Sequence, residues 1–292
     1  MGAKTIQIVL PDGDPRGIRI AEITTRIVKV IEVPRDMLGQ FCQMPESNQV
    51  ALYFLVGSDS ETDFQELYIG QSGGLRDRLK QHGKEKIFWN RALVVVSLTN
   101  SLTQTHTLFL EWLSIKEAQN TGRFTVVNRN DGNKPYTPAP LEADCMEIYD
   151  TTRTLLATLG YPVFEPALKK SNTPEKQEIF VCKSSEADGR GVYTDEGFVV
   201  LAGSNGRREN VPSIVNTADE RFREKLISEG VMRVEGNRVV FDRDYIFKSP
   251  STAAVALMGR TANGWVDWKT PDGKTLHEVK RSDHETGAEL AE

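Results

Sequence analysis

The sequence predicts an α+β protein built from two domains. Short apolar runs of strand length alternate with longer amphipathic runs of helical period. The chain has 292 residues, more than a single core usually organises. A polar stretch, KKSNTPEKQ at 169–177, separates two sets of such runs.

Residues 1–46 read as a β extension: TIQIVL, IRIAEI and RIVKVIEV are strand-like, and the turn-rich PDGDPRG parts the first two. Residues 47–135 form a module of their own. VALYFLVG is an apolar strand, SDSETDFQE an exposed hairpin tip, and LYIGQS the returning strand. GLRDRLKQH is a short amphipathic helix and FWNRALVVVSL a third, buried strand. A helix over 103–120 starts among threonines that can cap it and stops at Gly122, and FTVVN closes the module.

Residues 136–176 read as a helical connector and linker: irregular Asn, Gly and Pro give way to a helix that Gly160 stops. Residues 177–292 form the C-terminal α+β domain, with strands at EIFVCK, GVYT, FVVLAG and VMRVEGNRVVF, a charged helix at 218–229 and a short helix near STAAVALM. The acidic end, 276–292, is expected to be solvated.

Composition narrows the function classes. The net charge of −5 argues against a protein that coats nucleic acid over its whole surface. One segment departs from that balance. In 71–91, Arg76, Arg78, Lys80, Lys84, Lys86 and Arg91 oppose only Asp77 and Glu85, a focused positive site. Cys42, Cys145 and Cys182 are scattered and form no CxxC, so neither a disulfide framework nor a cysteine zinc site is suggested. No run reaches bilayer-spanning length, and the N-terminus meets Pro, Gly and Asp before any signal-like core. A cytoplasmic protein with no membrane partner is expected.

Two helices carry the chemistry. At 100° per residue Leu75, Arg78, Leu79 and His82 share one arc, so an arginine and a histidine flank the buried face. Such groups need an anion or an ion pair there. On the following helix Leu108, Glu111, Trp112 and Ile115 share a stripe, and the carboxylate inside it needs a cation, either Arg78 or a metal ion. Phe88 and Trp89 are expected in the core rather than stacked on a base, His106 on the surface, and Trp265 and Trp268 in a sheet core.

Taken with the two hairpin tyrosines, these residues resemble the GIY-YIG nucleases. The first motif stands as Ala51-Leu52-Tyr53, the second as Tyr68-Ile69-Gly70, the helix arginine as Arg78, and the residue one turn beyond it as His82. The family's glutamate falls on Glu111 and its closing asparagine on Asn128, with Asn133 as a second candidate. PDGDPRGIRIAEI and FKSPSTAAVALMGRTANGWVDWK resemble segments that flank this nuclease in bacterial proteins with a C-terminal domain of unknown function.

The resemblance implies a GIY-YIG-type α/β sandwich, a three-stranded antiparallel central sheet flanked by helices, that hydrolyses phosphodiesters in nucleic acid, DNA being favoured. Tyr53 would be general base, Tyr68 would orient or share its proton, Arg78 would hold a phosphate oxygen, and Glu111 would bind Mg2+ or Mn2+. His82 would assist proton transfer or contact phosphate; Asn128 would fix the site by hydrogen bonding or serve the fold alone. Arg76, Lys80, Lys84, Lys86 and Arg91 would meet the nucleic acid. Two alternatives stay open: a catalytically silent nucleic-acid-binding module, and a protein-interaction module. The C-terminal domain is the expected seat of a protein partner or of self-association.

Overall fold

The computed structural model describes residues 2–58, 64–128, 132–168 and 178–280. Most of the expected hairpin tip, part of the Asn-rich run (129–131), the polar linker and the acidic tail beyond 280 lie outside the described residues. The chain divides into two compact units, Met1–Glu165 and Pro166–Glu292. No helix among the described residues is long and apolar enough to cross a membrane.

The first unit holds strands β1 (Ile6–Val9), β2 (Arg19–Ile23), β3 (Val28–Pro34), β4 (Ala51–Ser58), β5 (Gln65–Ser72), β6 (Trp89–Ser97) and β7 (Thr125–Val126). They form one sheet in the order β1-β2-β3-β6-β4-β5-β7. Every neighbouring pair is antiparallel except β5 with β7. The expected three-stranded sheet is therefore corrected to the middle of a seven-stranded mixed one. The reason is the edge of β6: left alone it would present a row of unpaired amides and carbonyls. Instead β3 pairs with it from Val28↔Ser97 to Pro34↔Arg91, so the N-terminal extension is built into the sheet.

Alternation along the strands makes two cores. Leu52, Phe54, Leu67, Ile69, Leu93 and Val95 face one side, against helices α3 (Gln104–Thr121) and α4 (Ala139–Thr158). Tyr53, Leu55, Ala92 and Val94 face the other, where α1 (Leu38–Phe41) and α2 (Leu75–Glu85) pack through Phe41, Leu75 and Leu79. The segment read as a connector thus contributes α4 to the core of the first unit, where Cys145, Ile148, Leu155 and Leu156 are buried.

Local signals explain the helix ends. Thr103 and His106 form a capping box at the start of α3, so His106 serves the backbone rather than only the surface. Gly122 at φ 62° closes the helix in the left-handed region.

The second unit contains β8 (Ile179–Lys183), β9 (Asp188–Thr194), β10 (Gly197–Val200), β11 (Asn205–Arg207), β12 (Met232–Glu235), β13 (Arg238–Phe241) and β14 (Tyr245–Phe247). Helices α5 (Ala218–Ser228), α6 (Pro250–Met258) and α7 (Gly264–Asp267) accompany them. The sheet runs β12-β13-β11-β9-β10-β14, with β8 on β9. Helix α6 is apolar and buried nearly all round. Trp268 is fully buried, donates its indole N–H to the Pro250 carbonyl at 3.0 Å and stacks on Phe198 at 4.3 Å. Trp265 is only partly covered and leans on Tyr193.

Candidate active site

Hairpin β4–β5 puts the two motif tyrosines on the α2 face of the sheet, because Tyr53 pairs with Gly70 and Leu55 with Tyr68. Tyr53 is fully buried. Its hydroxyl lies 2.8 Å from His82 Nε2, and Arg78 Nε donates to it at 3.4 Å. The ring crosses directly over Gly70. That approach explains the glycine of the second motif: a methyl there would have no room.

Burial raises the pKa of Tyr53 above the ordinary phenol value; the Arg78 hydrogen bond opposes the shift. His82 is 2% exposed and is pushed down to about 4, first by desolvation and then by the positive charge of Arg78 and Lys86. It is therefore neutral at physiological pH, and its Nδ1 has no partner.

The edge of β5 brings the second helix to the same place. Strand β7 covers only the start of that edge, and Val127 N–H then bonds the Leu67 carbonyl at 2.9 Å. One step on, the Asn128 side chain takes over: it accepts from Ile69 N–H at 3.0 Å and donates to the Ile69 carbonyl at 2.7 Å. At the next outward amide, Gln71 N–H bonds the Glu111 carboxylate. Asn128 and Glu111 thus finish a ladder that the short strand leaves incomplete.

The result is a cavity of about 650 Å3 bounded by Tyr68, Arg78, His82, Glu111 and Asn128. Five of the six predicted catalytic residues meet there. Tyr53, expected as general base, does not; it sits behind Arg78 and His82. Asn133, the second asparagine candidate, also lines the wall.

The stripe Leu108, Glu111, Trp112 and Ile115 is core-facing only in part: Ile115 is buried and Trp112 packs on the same core. All four residues line the cavity, and Leu108 is 40% exposed. The buried side of α3 runs through Thr107, Phe109, Leu110, Ser114, Ile115 and Ala118. Thr107, Ser114 and Ala118 are small enough to let the helix lie close to the sheet, and the hydroxyls of the first two hid them from a hydrophobicity count.

Glu111 makes no ion pair within 4.0 Å among the described residues, including none with Arg78. Burial raises its pKa; the Gln71 amide and Arg78 hold it down in part. A desolvated carboxylate without a counter-ion suits a divalent cation that keeps waters and phosphate oxygens as its other ligands. No group of three or more His, Cys, Asp or Glu that could hold a metal exists among the described residues, so a dedicated protein cage is not what these residues would form.

The basic residues divide. Lys86 lines the cavity and lies over the Tyr68 ring at 4.2 Å from its centroid. Lys80 and Lys84 are exposed on α2. Arg76 is turned to Ser47 Oγ at 3.2 Å. Arg91 is removed from the patch: it donates to the Arg16 carbonyl at 3.1 Å and lies 3.7 Å from buried Glu32, which also pairs with Arg19 and accepts from Tyr161. Strand alternation puts it there, outside the α2 surface.

A contributor not foreseen is Arg35. It donates to the carbonyls of Gly83, Ile87 and Trp89 and stacks over the Trp89 ring at 4.9 Å. It ties the extension to the C-terminal end of α2. Trp89 itself is buried, as expected, with its N–H on the His82 carbonyl.

Comparison with known proteins adds one finding. Residues 180–280 match the family described as Domain of unknown function (DUF4357). The C-terminal domain of unknown function expected beside the nuclease resemblance is therefore present. That match lies outside residues 47–135 and gives the nuclease resemblance no support. No curated protein and no solved structure matches the chain.

The neutral, buried His82 makes a pH prediction. Its folded pKa is about 4 against 6.5 for the free group, so between these values the unfolded chain binds the extra proton. Stability then falls as pH drops through that window and is unaffected by this group above it. Urea unfolding at pH 7 and pH 4.5 should show wild type losing about 2–3 kcal/mol more than His82→Gln. Equal losses would mean that His82 is protonated in the folded protein.

Proposed function

We propose that residues 47–135 are a metal-dependent endonuclease module of GIY-YIG type that hydrolyses phosphodiester bonds, with DNA as substrate. The observation that supports this best is Glu111, a partly desolvated carboxylate with no ion pair within 4.0 Å among the described residues, sharing one cavity with Arg78, His82 and Tyr68. A module that merely binds nucleic acid gains nothing from a carboxylate beside phosphate, which disfavours the silent alternative.

In this reading a divalent cation, when bound at Glu111, supplies Lewis-acid stabilisation of charge on the phosphate and the leaving oxygen. Arg78 holds a non-bridging oxygen through its guanidinium fork. Tyr68 is the tyrosine that reaches the cavity, so its hydroxyl would orient the attacking water by hydrogen bonding. Tyr53 takes a positioning role: it fixes Arg78 and keeps the His82 ring in one orientation. Asn128 holds β5, and so Tyr68, at the correct depth.

The test is cleavage of supercoiled plasmid by purified full-length protein in Mg2+ and in EDTA, beside Arg78→Ala and Arg78→Lys. Nicking is expected only with the metal. Both variants should lose on the order of 100-fold or more in rate, with lysine restoring little because it lacks the fork. Protein that binds plasmid, RNA and branched DNA at low salt but cuts none of them would replace this reading with the binding-module one.

A further inference from the structure

We propose that the cavity accepts a nucleotide whose base is unstacked from its helix, with the phosphate on the α2 wall and the base against Trp112 on the α3 wall. This rests on the nuclease reading and adds a substrate class: DNA carrying an unpaired nucleotide at the cut.

The two walls differ in chemistry. One side carries Arg78, Lys86 and the polar His82; the other sets the apolar Leu108, Trp112, Ile115 and Pro135 around the carboxylate of Glu111. Leu108 and Trp112 remain partly open, although burying them in the sheet core would have been the cheaper arrangement. A volume of about 650 Å3 falls among sites that enclose whole small molecules, and it exceeds the needs of a phosphate group alone.

A paired duplex presents only its sugar-phosphate surface and groove edges, because its base faces are covered by neighbouring pairs. Against such a substrate the apolar wall would meet water or charged backbone. A nucleotide with its base turned out offers an anion at one end and a flat π face at the other, which complements both walls.

The surroundings of Trp112 fit the same occupant. Lys116 and Lys134 hold their ammonium groups over its ring at 5.3 and 5.7 Å from the centroid. Lys134 is also paired with Glu142 at 2.7 Å, so a base that stacks on the indole displaces Lys116 and leaves Lys134 on its carboxylate. Phe109, 5.6 Å away, braces the indole from the core side.

The test gives full-length protein a labelled DNA duplex and the same duplex with a short unpaired bulge, in Mg2+. Wild type should show a kcat/KM roughly tenfold higher on the bulged strand, and Trp112→Ala should bring the ratio to within about twofold. Equal wild-type rates on the two substrates overturn the proposal. A second measurement places 2-aminopurine in the bulge and titrates protein in EDTA, where no cleavage occurs. Fluorescence should fall severalfold with wild type, partly with Trp112→Phe, and not with Trp112→Ala, all three checked for folding by circular dichroism. Unchanged fluorescence at saturating wild-type protein also overturns it. Quenching without cleavage of any DNA would remove the nuclease reading and leave the base site standing.

Discussion

Glu111→Gln is expected to abolish Mg2+-dependent DNA cleavage, by roughly 1,000-fold or more, while leaving thermal stability equal or higher. The two signs come from one cause. Burial raises the pKa of Glu111, and no ion pair within 4.0 Å offsets the loss of water among the described residues. The amide isostere removes the charge that is costly to desolvate, and its carbonyl oxygen can still accept from Gln71 N–H, which keeps the β5 edge satisfied. Removing a partly buried charge that has no ion partner is expected to be neutral or stabilising.

A structural carboxylate would behave in the opposite way. If Glu111 served mainly to hold β5, Glu111→Gln would change little in either readout. If it were the partner of Arg78, its loss would leave a half-buried cation and lower stability. Melting curves and cleavage rates on the same preparation therefore separate the roles. Metal binding gives a third readout: because burial raises the carboxyl pKa, protons compete with the cation, and Mg2+ affinity measured by calorimetry should strengthen as pH rises through that titration. A fall in stability together with unchanged cleavage would remove Glu111 from the mechanism.

Much of the first unit was legible because its signals are local. The apolar run VALYFLVG, the amphipathic spacing in LRDRL and the Thr-to-Gly limits of α3 each report on a few neighbouring residues. Sheet order was not legible in this way. That β3 would cover the edge of β6 depends on pairing between residues 57 to 69 positions apart, and nothing within either strand names its partner. For the same reason Arg91 read as part of a basic run, whereas its register partner Pro34 places it beside Glu32 and away from α2.

The site was legible in its residues and less so in their depth. Helical spacing grouped Leu108, Glu111, Trp112 and Ile115 correctly, since all four share the cavity wall. Apolar spacing alone also counts Leu108 with the core, whereas Leu108 is 40% exposed and the polar Thr107 and Ser114 are fully buried. Packing turned the helix slightly: Phe109, Leu110 and Ile115 fill the core while the small Thr107, Ser114 and Ala118 sit at the close contact. Likewise, nothing in Ala51-Leu52-Tyr53 separates the buried tyrosine from the one that reaches solvent. That difference arises only when His82 and Arg78 close over Tyr53.

The closure makes Gly70 the position where fold and site are most tightly joined. A Cβ there would lie 2.4 Å from the Tyr53 hydroxyl oxygen and 2.6 Å from Cζ, so Gly70→Ala cannot be absorbed by a flexible side chain. Tyr53 is fully buried, and its ring can move only by giving up the 2.8 Å bond to His82 and the contact with Arg78. The expected result is a loss of about 2–3 kcal/mol in stability and on the order of 100-fold in cleavage, since Arg78 is released from the geometry that aims it at phosphate. The coupling is measurable. Tyr53→Phe alone should cost about 1–3 kcal/mol by stranding His82 Nε2 without a partner, but in the Gly70→Ala background it removes the atom nearest the new methyl and should cost less. A double-mutant cycle with strictly additive losses would show that the ring does not press on this glycine, and would break the link drawn between the second motif and the orientation of Arg78.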